Sequence, residues 1–132
     1  MADKIKVVAI AIFSESEKKY LFVRRGPDQS GAGFWEFAGG KVEIGESETQ
    51  ALIREIQEEL GFSVEGQHLQ YVSRHTYSYP TKTVDLALYK YNVEKSFVPQ
   101  LIEHDQFAWL AISDVPQLQL SPADIYFLPL LV

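Results

Sequence analysis

Residues 40–62, GKVEIGESETQALIREIQEELGF, constrain this chain more than any other stretch. Their spacing predicts a helix over 47–60. Ser47 and Gln50 form a capping-box pair at its start, and Gly61 follows as a C-terminal cap. At about 100° per residue, Leu52, Ile53, Ile56 and Leu60 form an apolar stripe that needs a core to pack on. Glu55, Glu58 and Glu59 fall within roughly one 100° arc, and the apolar stripe is centred about 120° away. One edge of the helix therefore docks, while the neighbouring edge presents three carboxylates.

Carboxylates crowded in this way repel one another unless something positive sits on them. No lysine four residues on compensates them. Arg54 flanks the acidic arc and can hold a carboxylate with its planar fork. Gly39, Gly40 and Gly45 precede the helix and imply a tight loop through which backbone approaches a ligand. A divalent cation answers all three features. Mg²⁺ prefers oxygen ligands and keeps several waters. It neutralises phosphate charge and acidifies a bound water, whose proton a further carboxylate can accept. The bland alternative is a solvated acidic face.

The charge balance favours the cation. The 132-residue chain carries a formal charge of −6, and the window 40–62 alone holds six acids against Lys41 and Arg54. No basic stripe suggests an extended nucleic-acid surface. With 46% apolar and 23% charged residues, a single folded domain over 1–132 is expected. The chain has no cysteine, which excludes disulfide and thiolate chemistry. Its first residues alternate like a strand rather than a signal peptide, and no apolar run is long enough for a bilayer. A cytoplasmic protein without membrane contact is expected, either monomer or homodimer.

The remaining pattern is strand-rich. Strands are expected over 5–13 and 20–25 as a hairpin, then a loop over 26–33 and a short aromatic strand over 34–37 that ends at Gly39-Gly40. Two paired strands, 72–79 and 84–93, flank a Pro80-Thr81-Lys82 turn. Another strand covers 107–112, and Ser121-Pro122 opens a short C-terminal helix. The fold class is α+β.

The acidic window also resembles the Nudix box, G-x5-E-x7-R-E-U-x-E-E-x-G-U, where U is bulky and apolar. Gly40, Glu46, Arg54, Glu55, Ile56, Glu58, Glu59, Gly61 and Phe62 fill its fixed positions. Box and flanks together look like the MutT-like branch of that family. The resemblance implies an α/β/α sandwich around a mixed β-sheet and a Mg²⁺-dependent pyrophosphohydrolase, with Mn²⁺ as a substitute metal. In that branch a nucleoside triphosphate is cleaved to NMP and pyrophosphate. The resemblance further implies that Glu55, Glu58 and Glu59 bind metal, joined by the Gly39 carbonyl. It implies that Arg54 orients a glutamate and that Gly40 and Glu46 support the loop. Glu103, six residues before Trp109, matches a family glutamate that ligates metal or takes a proton. The general base lies between Glu55 and Glu103.

Substrate choice falls outside the box. Segments 33–43 and 120–124 look closer to the CTP pyrophosphohydrolase group than to the 8-oxo-dGTP diphosphatase group. Where the latter reads its base with asparagine, this chain has Asp124. An ionised aspartate only accepts, which suits an exocyclic amino group and repels O6 of 8-oxoguanine unless the acid is protonated. Phe37 and Trp35 share a strand face, and Phe37 is a candidate for stacking on a base, with core packing as its alternative. Arg25 and, more weakly, Lys82 are candidate substrate contacts. His68, His75 and His104 lack metal-ligand spacing and read as surface or packing residues. Expected substrates are oxidised or modified nucleotides, such as 8-oxo-dGTP or 5-methyl-dCTP, and CTP. Two rival readings are a dinucleoside polyphosphate or RNA 5′-end hydrolase, and a non-catalytic nucleotide-binding module.

Overall fold

The centre of the structure is strand β1 (Lys4–Ser14), whose residues Val8 to Ile12 are buried. A computed structural model describes residues 4–132, so the first three residues of the expected domain span lie outside it. Strand β6 (Lys82–Val93) runs parallel to β1 along its whole length, from Lys4↔Thr83 to Ser14↔Val93. Two strands share the other edge of β1. The hairpin partner β2 (Lys19–Arg24) pairs through Phe13↔Tyr20, and β4 (Ala38–Lys41) pairs through Val7↔Lys41 to Ile10↔Ala38. β3 (Trp35–Glu36) and β7 (Gln106–Leu110) flank β2, and β5 (Gln70–Tyr79) lies against β6. These pairings are antiparallel, so the sheet is mixed.

Both faces of the sheet are covered. Helix α1 (Glu48–Leu60) places Ala51, Leu52, Ile56 and Leu60 against Val8, Ile10 and Ile12. On the opposite face, Val115, Ala123, Phe127 and Leu131 pack on Ala9, Ala11, Phe22 and Leu88. They come from helix α2 (Pro122–Ile125) and flanking 3₁₀ turns. The result is an α/β/α layering whose second helical layer is thin. Among the described residues no helix is long and apolar enough to cross a membrane.

Helix α1 has the expected caps. Ser47 Oγ accepts from the Gln50 amide at 3.1 Å, and the Gln50 side chain accepts from the Ser47 amide at 2.9 Å. Gly61 closes the helix at φ 63°. Glu48 in the first turn is held by Tyr89 Oη at 2.8 Å and by Arg74, so the sheet fixes the start of the helix.

Three boundaries differ from expectation. Gly39-Gly40 lie inside β4 rather than ending a strand. A Cβ on Gly39 would stand 2.0 Å from the Val8 carbonyl oxygen, so glycine is what lets β4 close on β1. Lys82 begins β6 opposite Tyr79 instead of sitting in the turn. The strand expected to reach Ile112 ends at Leu110, and the chain enters a 3₁₀ turn at Ile112. Ser47→Ala is expected to cost about 0.5–2 kcal/mol of stability through loss of the bond that Ser47 Oγ accepts from the Gln50 amide. Urea denaturation measures it, and an unchanged midpoint would count against the capping box.

Candidate metal and nucleotide site

The site forms where α1 crosses β4. Arg54 is its clamp. Its Nε and Nη2 donate to Glu46 Oε2 and Oε1 at 2.8 and 2.9 Å, and Nη1 donates to Glu55 Oε1 at 2.8 Å. Nη2 also reaches the Lys41 carbonyl at 3.1 Å, while Glu58 Oε2 stands 3.5 Å from Nη1. The bidentate pairing, with the Glu43 amide, holds the Glu46 carboxyl down at about 2. One guanidinium thus ties the loop after β4 to the helix and spreads its charge over several carboxylates.

Gly40 is needed for this packing. A Cβ there would lie 2.3 Å from Glu55 Cδ, so the Glu55 carboxylate rests directly over the glycine backbone. Glu59 lies nearer the core. Burial pushes its carboxyl up from the usual 4.5 to about 9, followed by the charges of Glu55 and Glu36. The Gly39 amide opposes this, and Glu103 adds to it. Glu59 Oε1 is buried and, among the described residues, has no hydrogen-bond partner. Glu58 is exposed beside them. Glu103 arrives from the segment before β7, where Gln29 Nε2 donates to its Oε2 at 3.1 Å.

These residues suit a hard cation. An orphaned, buried carboxylate oxygen in a concentration of like charge gains from a positive partner. Among the described residues, no three acidic or histidine side chains form a ready ligating cluster. This fits an ion that completes its shell with water and substrate oxygens.

A second group gathers beside β3. Trp35 pairs on one side with β2 and on the other with the segment before α2, through Trp35 N to Gln119 O at 2.8 Å and Ser121 N to Trp35 O at 2.7 Å. That pairing brings Asp124 against β3. Asp124 is 5% exposed. Burial raises its carboxyl well above the usual range, the Glu36 charge raises it further, and the Phe37 amide and Arg25 oppose both. Arg25 Nη1 lies 3.1 Å from both Glu36 oxygens, and its Nε donates to the Ser30 carbonyl. Arg24 points elsewhere, to Asp105 at 2.8 Å.

The stacking role expected for Phe37 is corrected. The residue is 2% exposed and its ring packs on Phe22 at 4.9 Å between centroids, leaving no face for a base. Its backbone amide is what meets Asp124. Lys82 stands at the start of β6, six residues from Leu88, which is level with Gly39 across β1. That is about 20 Å of strand, so Lys82 is not brought to the carboxylates. Two residues were missed. His104 is buried, with Nε2 2.9 Å from Glu36 Oε2, and Glu36 itself joins Arg25 to His104 while its charge acts on Asp124. The only sequence signal for Glu36 is its alternation between Trp35 and Phe37.

A glycine-bearing strand under an arginine-clamped acidic helix defines a hydrolase site of the phosphoanhydride-cleaving kind. Residues 4–131 match the NUDIX domain, and the chain belongs to that family of hydrolases. It is 39% identical over 121 residues to the CTP pyrophosphohydrolase of Escherichia coli (strain K12), covering 92% of this chain and 86% of that one. It is 34% identical over 79 residues to the 8-oxo-dGTP diphosphatase of the same strain, 60% of each chain. The crystal structure of a MutT NUDIX hydrolase from Burkholderia pseudomallei superimposes with a TM-score of 0.84 at 25% identity, covering 98% of this chain and 99% of that one.

The state of Glu59 can be tested without substrate. In the metal-free protein the unfolded residue ionises near 4.5, while the folded one keeps its proton to about 9. The folded state binds more protons across that window, so stability falls as pH rises through it. Urea unfolding in chelator is expected to show this slope in the wild type and a flatter one in Glu59→Gln. Equal slopes would refute the assignment.

Proposed function

We propose that this chain is a Mg²⁺-dependent nucleoside triphosphate pyrophosphohydrolase, converting an NTP and water to NMP and pyrophosphate. The observation that carries the reading is Glu59, whose Oε1 is buried and, among the described residues, unpartnered, amid the charges of Glu55, Glu36 and Glu103 and beside the Arg54 clamp. Glu55, Glu58, Glu59, Glu103 and the Gly39 carbonyl are the groups that would hold the ion. When bound, it supplies charge neutralisation on the phosphates and an acidified water. Arg54 fixes Glu55 and Glu46. Either Glu55, anchored by Arg54, or Glu103, anchored by Gln29, accepts the proton from the attacking water. The names of the relatives support nucleotide substrates, and the cytoplasmic nucleotide pool is where such an enzyme would act.

Asp124 and Arg25 are the proposed nucleotide contacts. The environment of Asp124 favours its neutral form. A protonated carboxyl presents one donor and one acceptor side by side, as an asparagine does. That removes the repulsion an ionised aspartate would exert on O6 of 8-oxoguanine, while still leaving an acceptor for the amino group of cytosine. The reading therefore includes both 8-oxo-dGTP and cytosine nucleotides.

A panel of CTP, dCTP, 5-methyl-dCTP, dGTP and 8-oxo-dGTP with Mg²⁺ is expected to yield NMP and pyrophosphate. No pyrophosphate from any of them would overturn the proposal. Glu58→Gln and Glu59→Gln are each expected to lower kcat by about 100-fold or more, the scale of losing a group that stabilises transition-state charge. Asp124→Asn is expected to keep turnover of 8-oxo-dGTP, whereas Asp124→Ala lowers kcat/KM about 10- to 100-fold by leaving the base edge unpaired. Equal activity in Asp124→Ala and wild type would remove Asp124 from base recognition.

A further inference from the structure

Glu36 and His104 are buried or nearly so, and the reaction outlined above gives neither a task. The His104 side chain is 1% exposed. Its Nε2 lies 2.9 Å from Glu36 Oε2, and its Nδ1 is buried with no partner among the described residues. These two facts determine the tautomer. A proton on Nδ1 alone would bury an unsatisfied N–H and turn the Nε2 lone pair toward a carboxylate. An imidazolium would still bury the Nδ1–H. The neutral Nε2–H form leaves only an unused lone pair at Nδ1. His104 therefore donates to Glu36.

Glu36 passes this constraint to Arg25. Both of its oxygens lie 3.1 Å from Arg25 Nη1, and Arg25 Nε is taken by the Ser30 carbonyl. The Arg25 backbone is tied on both sides, its amide to Phe34 O at 2.9 Å and its carbonyl to Gly33 N at 3.0 Å. Among the described residues, Nη2 alone of the guanidinium nitrogens has no hydrogen-bond partner. The side chain remains 30% exposed. An arginine fixed at three points, with one nitrogen left open, is pre-organised for a single incoming oxygen.

Simple packing does not account for the His104 contact. The adjoining Asp105 already fastens this segment to β2, through its carboxylate to Arg24 Nε and Nη2 at 2.8 and 2.9 Å and its amide to the Arg24 carbonyl at 3.1 Å. The His104–Glu36 bond adds direction to Glu36 rather than anchorage to the chain.

We infer that His104 is a positioning residue: by donating Nε2–H to Glu36 it fixes the carboxylate that aims Arg25 Nη2 at a phosphate or sugar oxygen of the bound nucleotide. This rests on the nucleotide-hydrolysis reading and adds a residue to it. Steady-state kinetics with CTP and 8-oxo-dGTP test it in His104→Leu, His104→Gln and Glu36→Gln, each with Arg25 present and in an Arg25→Ala background. His104→Leu is expected to raise KM about 3- to 10-fold, the worth of one hydrogen bond, with kcat changed by less than about twofold. His104→Gln restores most of the loss because its amide also donates. With Arg25→Ala, His104→Leu adds nothing further, as two residues acting through one contact require. An unmoved KM, or the same increase with and without Arg25, overturns the inference. If His104→Leu does not fold, the isosteric Glu36→Gln decides by the same comparison. A readout independent of turnover separates this inference from the functional reading. The Arg25 guanidinium N–H signals in ¹⁵N NMR are expected to be protected in wild type and exchange-broadened in His104→Leu or Glu36→Gln. Protection retained in both variants overturns the inference, whatever the protein hydrolyses.

Discussion

The Arg54–Glu46 pair is the interaction on which the site depends. Helix α1 must turn Leu52, Ile56 and Leu60 into the core, and this forces Glu55 and Glu59 toward β4. Docking therefore brings carboxylates against backbone, an arrangement that opposes itself. Arg54 relieves it from the side. Its bidentate hold on Glu46 anchors the loop, and its remaining nitrogen steadies Glu55. Bidentate geometry requires a planar fork, which lysine does not offer.

The two glycines of β4 complete the same arrangement from below. Gly39 lets the strand approach the Val8 carbonyl, and Gly40 makes room for the Glu55 carboxylate. A side chain at either position would separate helix from sheet or expel Glu55. The positive partners nearby are fewer than the acids. Arg54 serves Glu46, Glu55 and Glu58, and Arg25 serves Glu36, while Glu59 is left with a buried oxygen that meets no donor among the described residues. The protein compensates its acids only in part, and the deficit is concentrated at Glu59.

How much of this was legible in the chain follows from the range of each interaction. Helix α1, its caps and its acidic edge are set by residues three and four apart, so spacing alone located them. Gly39 and Gly40 read as a strand end because glycine carries no strand signal. They belong to a strand through a contact with β1, some thirty residues earlier in the chain. Glu36 and His104 are 68 residues apart and meet only because β3 and the segment before β7 both flank β2. No periodicity encodes that meeting. Phe37 shows the converse error. Alternation correctly placed it on the same side as Trp35, and only the burial of that side decided that its ring packs on Phe22.

The division of labour in the site follows from the same topology. Glu55, Glu58 and Glu59 hang on α1, on one face of the sheet. Asp124 hangs on α2, on the other face, and reaches the site because β3 pairs with the segment before α2. The two sets share no element, so the residues proposed to hold the ion and the residue proposed to meet the base are encoded in separate stretches of the chain. They are not electrically independent, however. The Glu36 charge raises the proton affinity of Glu59 on one side and Asp124 on the other. A carboxylate held between Arg25 and His104 thus makes Glu59 more receptive to a cation and Asp124 more disposed to keep its proton. Burial is the larger cause at both residues, and this one fixed negative charge adds to it at each.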